Sequence, residues 1–365
     1  PDERREKAVR EDGKISAGQL FTLAFLSRII IMITVDSRLS GGQDLLDLTF
    51  SALWYLGLNL VLILPVWLLH RRYPKLDILE VSCYSLGKWG KGAAVLYGGY
   101  LLFMSGYFLS VFQLFMENEV STTAPVWVLS AALVLVSCYG AFMGLESIAR
   151  TGGFLFLLVC AGLLFLLVTL NQELRSENFT PLFYHGTEQM IQGTLLFLSR
   201  STFYLVLPLL LPRTVGTLRL KYVLWNGGLA LFFIVMIVTV CGALGPMAGL
   251  ESFPMYTMAS LAQSGPFQRL DAVYVAVWMM GLFLTLALDL YLVSVCAGRL
   301  FGKKAEKPAI PVCGVVLAVF PLLMTVEIRE AAFSLAVLLM ATLAIGVVFP
   351  MILLGLSKRK ERKQR

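Results

Sequence analysis

Phe25-Leu26-Ser27-Arg28-Ile29 and Leu198-Ser199-Arg200-Ser201-Thr202 each place a Ser-Arg dipeptide in the middle of an otherwise apolar run. The runs, residues 15–35 and 189–212, have the length of a membrane-crossing helix, which needs about 20 apolar residues. Ser199 follows Ser27 by 172 positions. A charge at the bilayer centre costs about 2.5 to 3.5 kcal/mol on insertion scales, so an arginine kept there needs a partner or a task.

Outward from these two runs, seven more are free of Asp, Glu, Lys and Arg: 48–69, 92–116, 126–145, 151–171, 222–250, 308–326 and 331–357. An eighth, 272–298, holds one charge, Asp289. With 58% hydrophobic residues and a mean hydropathy of +0.78, a soluble core is excluded, because no globular fold of this size hides ten such helices from water. The chain reads as an all-α integral membrane protein of ten transmembrane helices.

Lysine and arginine set the orientation. With both termini in the cytoplasm, inner segments hold 24 of the 30 basic residues, and Arg38, Arg175, Arg269 and Arg329 face outward. The net charge of +7 is then a topology signal directed at anionic membrane lipid, not at nucleic acid. The first fourteen residues alternate charges with no apolar stretch, which predicts a cytoplasmic tail and no signal peptide. None of the six cysteines forms a CxxC pair, so free thiols packing as small apolar groups are expected.

Span centres are offset by about 172 residues for spans 1 and 6, rising to about 182 for the last two pairs, so a five-helix unit occurs twice. Five is odd, so the second copy crosses the membrane in the opposite sense. This predicts a 5+5 inverted repeat: residues 1–14 as tail, 15–171 as first repeat, 172–188 as extracytoplasmic loop, 189–357 as second repeat and 358–365 as basic cytoplasmic tail. In such folds the first helix of each repeat breaks near the midplane and its exposed backbone holds the ligand. Broken helices 1 and 6 are therefore expected, with Pro208 removing a ladder bond from span 6. Span 1 has no glycine at the corresponding place.

The candidate ligand site follows: Ser27 and Arg28 of span 1, and Ser199, Arg200, Ser201, Thr202 and Tyr204 of span 6. Tyr100 on span 3 and Thr285 on span 8 are deep enough to complete it. Three roles suit the buried charges. Asp289 pairs with Arg28 and locks helices together; one arginine receives the carboxylate of a small ligand in its planar fork; or a guanidinium replaces a coupling cation. No P-loop, HExxH or Ser-His-Asp arrangement occurs, and the two histidines fall in segments on opposite sides of the membrane. No enzyme, metal or cofactor chemistry is expected.

Several segments resemble one family, the spore germination permeases. Lys14-Ile15-Ser16 with Gln19-Leu20, Gly42-Gln43-Asp44, Gly87-Lys88, Ala124-Pro125, the loop Gly144-Leu145-Glu146-Ser147-Ile148-Ala149-Arg150, Phe253-Pro254-Met255-Tyr256 and Arg269-Leu270-Asp271 with Trp278 are similar to its recurrent marks, in order. Those proteins are B subunits of nutrient germinant receptors within the amino acid-polyamine-organocation transporter superfamily. The resemblance implies a subunit of the spore inner membrane that senses a small nutrient, often an amino acid, beside an A-type subunit and a lipoprotein C-type subunit. The rival reading is a secondary amino-acid transporter, coupled to protons or cations or working by exchange. The family often has a glycine-rich span 1 and an acidic residue in span 6, where this chain has Ser27-Arg28 and Ser199-Arg200-Ser201.

Overall fold

The computed structural model describes residues 14–33, 45–120, 125–170, 173–179, 186–261, 271–324 and 334–364. The rest of the N-terminal tail, Arg38, Arg269 and Arg329, for which an outward position was expected, the Gly42-Gln43-Asp44 mark, Ala124, His185 and parts of the 172–188 loop lie outside them.

Helix α1 (Ala17–Ile33) opens at a reciprocal cap. The Ser16 amide donates to Gln19 Oε1 at 2.9 Å, and the Gln19 amide donates to Ser16 Oγ at 3.2 Å, which satisfies two amides the helix start would leave orphaned. Strand β1 (Ile15–Ser16) pairs in parallel with β2 (Thr214–Val215), tying the start of span 1 to the end of span 6.

Span 1 corrects one expectation, because α1 runs unbroken through Ser27 and Arg28. Neither glycine nor proline interrupts it after Gly18, and Ser27 Oγ donates back to the Ala24 carbonyl at 3.0 Å. The hydroxyl thus bonds inside the helix and does not replace a lost ladder bond. Span 6 does break: α8 (Gly186–Ser199) and α9 (Phe203–Leu210) are separated by Arg200, Ser201 and Thr202 and bent by 41°.

The remaining elements follow in order: α2 (Leu48–Leu62), α3 (Leu64–Arg72), α4 (Ile78–Leu86), α5 (Gly92–Asn118), α6 (Val126–Met143), α7 (Leu145–Leu170), α10 (Leu218–Leu244), α11 (Pro254–Leu261), α12 (Asp271–Phe301), α13 (Glu306–Leu323) and α14 (Leu335–Leu343). A π-helical turn, Ala344–Val348, joins α14 to α15 (Phe349–Gln364). Gly144, at φ +86°, makes the turn between α6 and α7 that an L side chain would strain.

Among the described residues eight helices are long and apolar enough to cross a membrane, and the bent α8–α9 pair makes a ninth. The 17 residues of α1 span about 25 Å at 1.5 Å per residue. Asp271–Phe301 is the hub, with 78% of its most apolar window buried, and it packs on α1, α5, α6, α7 and α13. The corresponding share is 22% for Leu145–Leu170, whose Phe154, Leu157, Leu164 and Val168 stay exposed. A helix that is apolar all round yet exposed on one side faces lipid.

Candidate functional site

Arg28 ends in an aromatic niche between spans 1, 2, 6 and 7. Its side chain is fully buried, and none of its three guanidinium nitrogens has a hydrogen-bond partner among the described residues. The guanidinium lies over the ring of Tyr55 on α2, 5.3 Å from the centroid, a cation–π contact that in a desolvated place is worth about 2 kcal/mol or more. Tyr204 of α9 and Tyr222 of α10 lie within electrostatic range of the same charge. The Tyr222 hydroxyl donates to the Asn59 carbonyl at 3.0 Å, whereas the buried Tyr204 hydroxyl has no partner among the described residues.

The niche is joined to the break in span 6 through Tyr55, whose hydroxyl lies 3.1 Å from Ser201 Oγ. Within the break, the Ser201 amide donates to the Leu198 carbonyl at 3.1 Å and the Thr202 amide to that of Arg200 at 3.2 Å, so tight turns replace the α-helical ladder. Thr342 of α14 supports the other edge by donating to the Ser199 carbonyl at 2.8 Å. Below the niche Asn59 Nδ2 donates to Asn226 Oδ1 at 2.5 Å, linking α2 to α10.

The expected residues separate into groups. Arg28, Ser201 and Tyr204 are brought together around Tyr55. Arg200, buried at the break, stacks over Tyr107 of α5 at 5.6 Å. The Tyr100 hydroxyl is engaged 2.6 Å from Thr342 Oγ1, and Ser199 and Thr285 return their hydroxyls to the Leu196 and Gly281 carbonyls at 2.8 and 2.9 Å. The expected Arg28–Asp289 charge pair is not formed. Asp289 accepts from Ser105 Oγ on α5 at 2.8 Å, because its place on α12 faces span 3, while Arg28 faces span 2.

Tyr55, Tyr222, Ser105 and Thr342 belong to these networks and were not anticipated. Thr342 and the Asn59–Asn226 pair had a signal in sequence, being polar side chains inside apolar runs. Tyr55 had none, since nothing in sequence distinguishes it from tyrosines that anchor at interfaces. All six cysteines are free thiols. Trp278 lies away from the niche, packed 4.4 Å from the Phe115 ring centre among Phe253, Tyr256 and Tyr274.

The described residues make up a multi-pass α-helical membrane protein, with one broken span beside a buried cation. Its fold is similar to that of a Na+-coupled sialic acid symporter solved in a substrate-bound, outward-open state, with a TM-score of 0.61 over 93% of this chain and 80% of that one at 13% identity. A family model described as "Spore germination protein" matches residues 14–330, and the chain belongs to that family. It is 22% identical over 249 residues to the spore germination protein YndE of Bacillus subtilis (strain 168), covering 65% of this chain and 67% of that protein.

Proposed function

We propose that the chain is the membrane-embedded subunit of a spore nutrient germinant receptor, which senses a small carboxylate-bearing nutrient on a transporter-like scaffold. The observation that carries this reading is the buried Arg28 guanidinium, without a hydrogen-bond acceptor among the described residues, beside the break in span 6. A carboxylate would supply the acceptors and offset the burial cost of the charge. Arg28, Tyr204 and Ser201 are its core, with Ser27, Ser199, Arg200, Thr202, Tyr100 and Thr285 around it. No catalytic group or cofactor takes part.

The scaffold is read as a 5+5 inverted repeat. Neighbours in one half have counterparts in the other, as α1 packs on α7 and α8 on α14, α1 on α10 and α8 on α2, α6 on α12 and α13 on α5. Under this reading both termini lie in the cytoplasm, the protein sits in the spore inner membrane, and A-type and C-type subunits act beside it.

Deleting the gene in the spore-former and complementing with wild type or Arg28→Gln tests the proposal. Nutrient-triggered germination restored by wild type alone, at equal membrane abundance, is the expected result; restoration by both would refute it. The fold likeness to a Na+-coupled symporter favours a second reading, a secondary amino-acid transporter. Net substrate flux into proteoliposomes containing the purified chain alone would decide for that alternative.

A further inference from the structure

We infer that Asp289 is a proton-binding site in the transmembrane bundle, holding one proton at neutral pH as the bundle is packed here. The inference does not depend on the carboxylate-sensing reading, which leaves Asp289 unused.

Asp289 lies on α12, the helix that packs on α1, α5, α6, α7 and α13, and it is 1% exposed. Its side-chain partner among the described residues is the Ser105 hydroxyl of α5, at 2.8 Å. An ionised carboxylate offers about four acceptor sites, and a charge taken out of water needs an opposite charge or several hydrogen bonds to offset the loss. One neutral hydroxyl does not supply that. Asp77 gives the contrast: also buried, it accepts from the Glu80 amide at 2.8 Å and from Arg299 at 3.3 Å.

The cations of the bundle interior are engaged elsewhere. Arg28 of α1 lies over Tyr55, and Arg200 lies over Tyr107 of α5. Ser105 and Tyr107 are two residues apart, so they point about 200° apart around that helix. The face of α5 that holds Asp289 is therefore not the face that holds Arg200. The other titratable groups on elements packed against α12 have partners or places of their own. Tyr100 of α5 meets Thr342 Oγ1, Tyr204 of α9 lies within range of Arg28, and Tyr256 of α11 donates to Asp271 at the start of α12. Cys138 of α6 donates to the Ile310 carbonyl at 3.9 Å, while Cys160 of α7 and Cys313 of α13 are half-buried free thiols. Glu117, Glu146, Arg150, Lys303 and Glu306 lie near the ends of their helices.

A bound proton removes the mismatch. The 2.8 Å contact with Ser105 suits the neutral acid in either direction, since a hydroxyl accepts as well as donates. One proton enters from water and nothing else is exchanged. Asp289 then offsets the charge of neither Arg28 nor Arg200.

Infrared spectra of the full chain in lipid vesicles at neutral pH test the inference, with and without carbon-13 at the aspartate side-chain carboxyl. A protonated carboxyl gives a C=O band that an ionised one lacks. The expected result is an isotope-sensitive band of that kind in wild type, lost in Asp289→Asn and retained at higher frequency in Ser105→Ala, which removes the hydrogen bond. Should Asp289→Asn fail to fold, the Ser105→Ala shift identifies the band. Wild type without the band, or a band unchanged in every variant that folds, overturns the inference. An ionised-carboxylate band that responds to replacing Na+ by choline, with no protonated band, overturns it and assigns Asp289 to a metal cation.

Discussion

Tyr55 couples Arg28 to the break in span 6: its ring lies 5.3 Å beneath the guanidinium while its hydroxyl meets Ser201 Oγ at 3.1 Å. One side chain therefore holds a buried charge with its face and an irregular backbone with its edge. Tyr55→Phe keeps the face and loses the edge, which should lower stability by about 1 kcal/mol, the usual net value of a buried hydrogen bond. Tyr55→Ala loses both and leaves a cavity, costing about 3 to 5 kcal/mol. Denaturation in detergent, where equal losses would contradict the division, measures both.

The separation of Arg28 from Asp289 has its own test. A double-mutant cycle with Arg28→Gln and Asp289→Asn should give a coupling within about 0.5 kcal/mol of zero, as for residues without shared partners. Ser105→Ala with Asp289→Asn should couple by about 0.6 kcal/mol or more, within the range of interhelical hydrogen bonds in membranes. The reverse order would reinstate the helix-locking ion pair.

Gly346 sits in the π turn of span 10 where a Cβ would lie 2.6 Å from Tyr204 Cβ. Gly346→Ala should destabilise by about 1 to 3 kcal/mol through overpacking and weaken carboxylate binding by displacing Tyr204. Gly355, on α15 with nothing within 4 Å of its added Cβ, is the control, and Gly355→Ala should leave binding unchanged. Ligand affinity measured for both variants separates local displacement of Tyr204 from a general effect on span 10.

Arg299, at the end of α12, donates to Glu80 at 2.6 Å and to Asp77 at 3.3 Å, and the two acids form the capping box of α4. The Arg299 side chain is 39% exposed, so Arg299→Gln should cost about 1 kcal/mol or less. Asp77→Ala removes both the cap and an ion-pair partner, and should cost more than Arg299→Gln. Raising ionic strength should shrink the Arg299 effect as exposed charges are screened; an effect independent of salt would point to packing by the arginine stem.

The family places the chain in the membrane as a germination protein, and much of that was legible in residues alone. Runs of membrane length set the helices, since in lipid a chain must satisfy its backbone within each segment. The Ser-Arg repeat located the special spans, and Pro208 with its polar neighbours foretold the break at Arg200–Thr202. The same reasoning failed at Ser27, because a hydroxyl can either replace a lost ladder bond or bond back within an intact helix, and local sequence does not say which.

Sequence by itself determined the helical class, the membrane setting and the place of Arg28, Arg200 and Asp289 within apolar segments, because each depends on hydropathy along a single segment. Tertiary structure decided which side chains meet them. It set Tyr55 beneath Arg28, Tyr107 beneath Arg200 and Ser105 against Asp289. Those pairings depend on the rotation of each helix about its axis and on which neighbours it packs against, and both are settled by close packing among spans far apart in the chain.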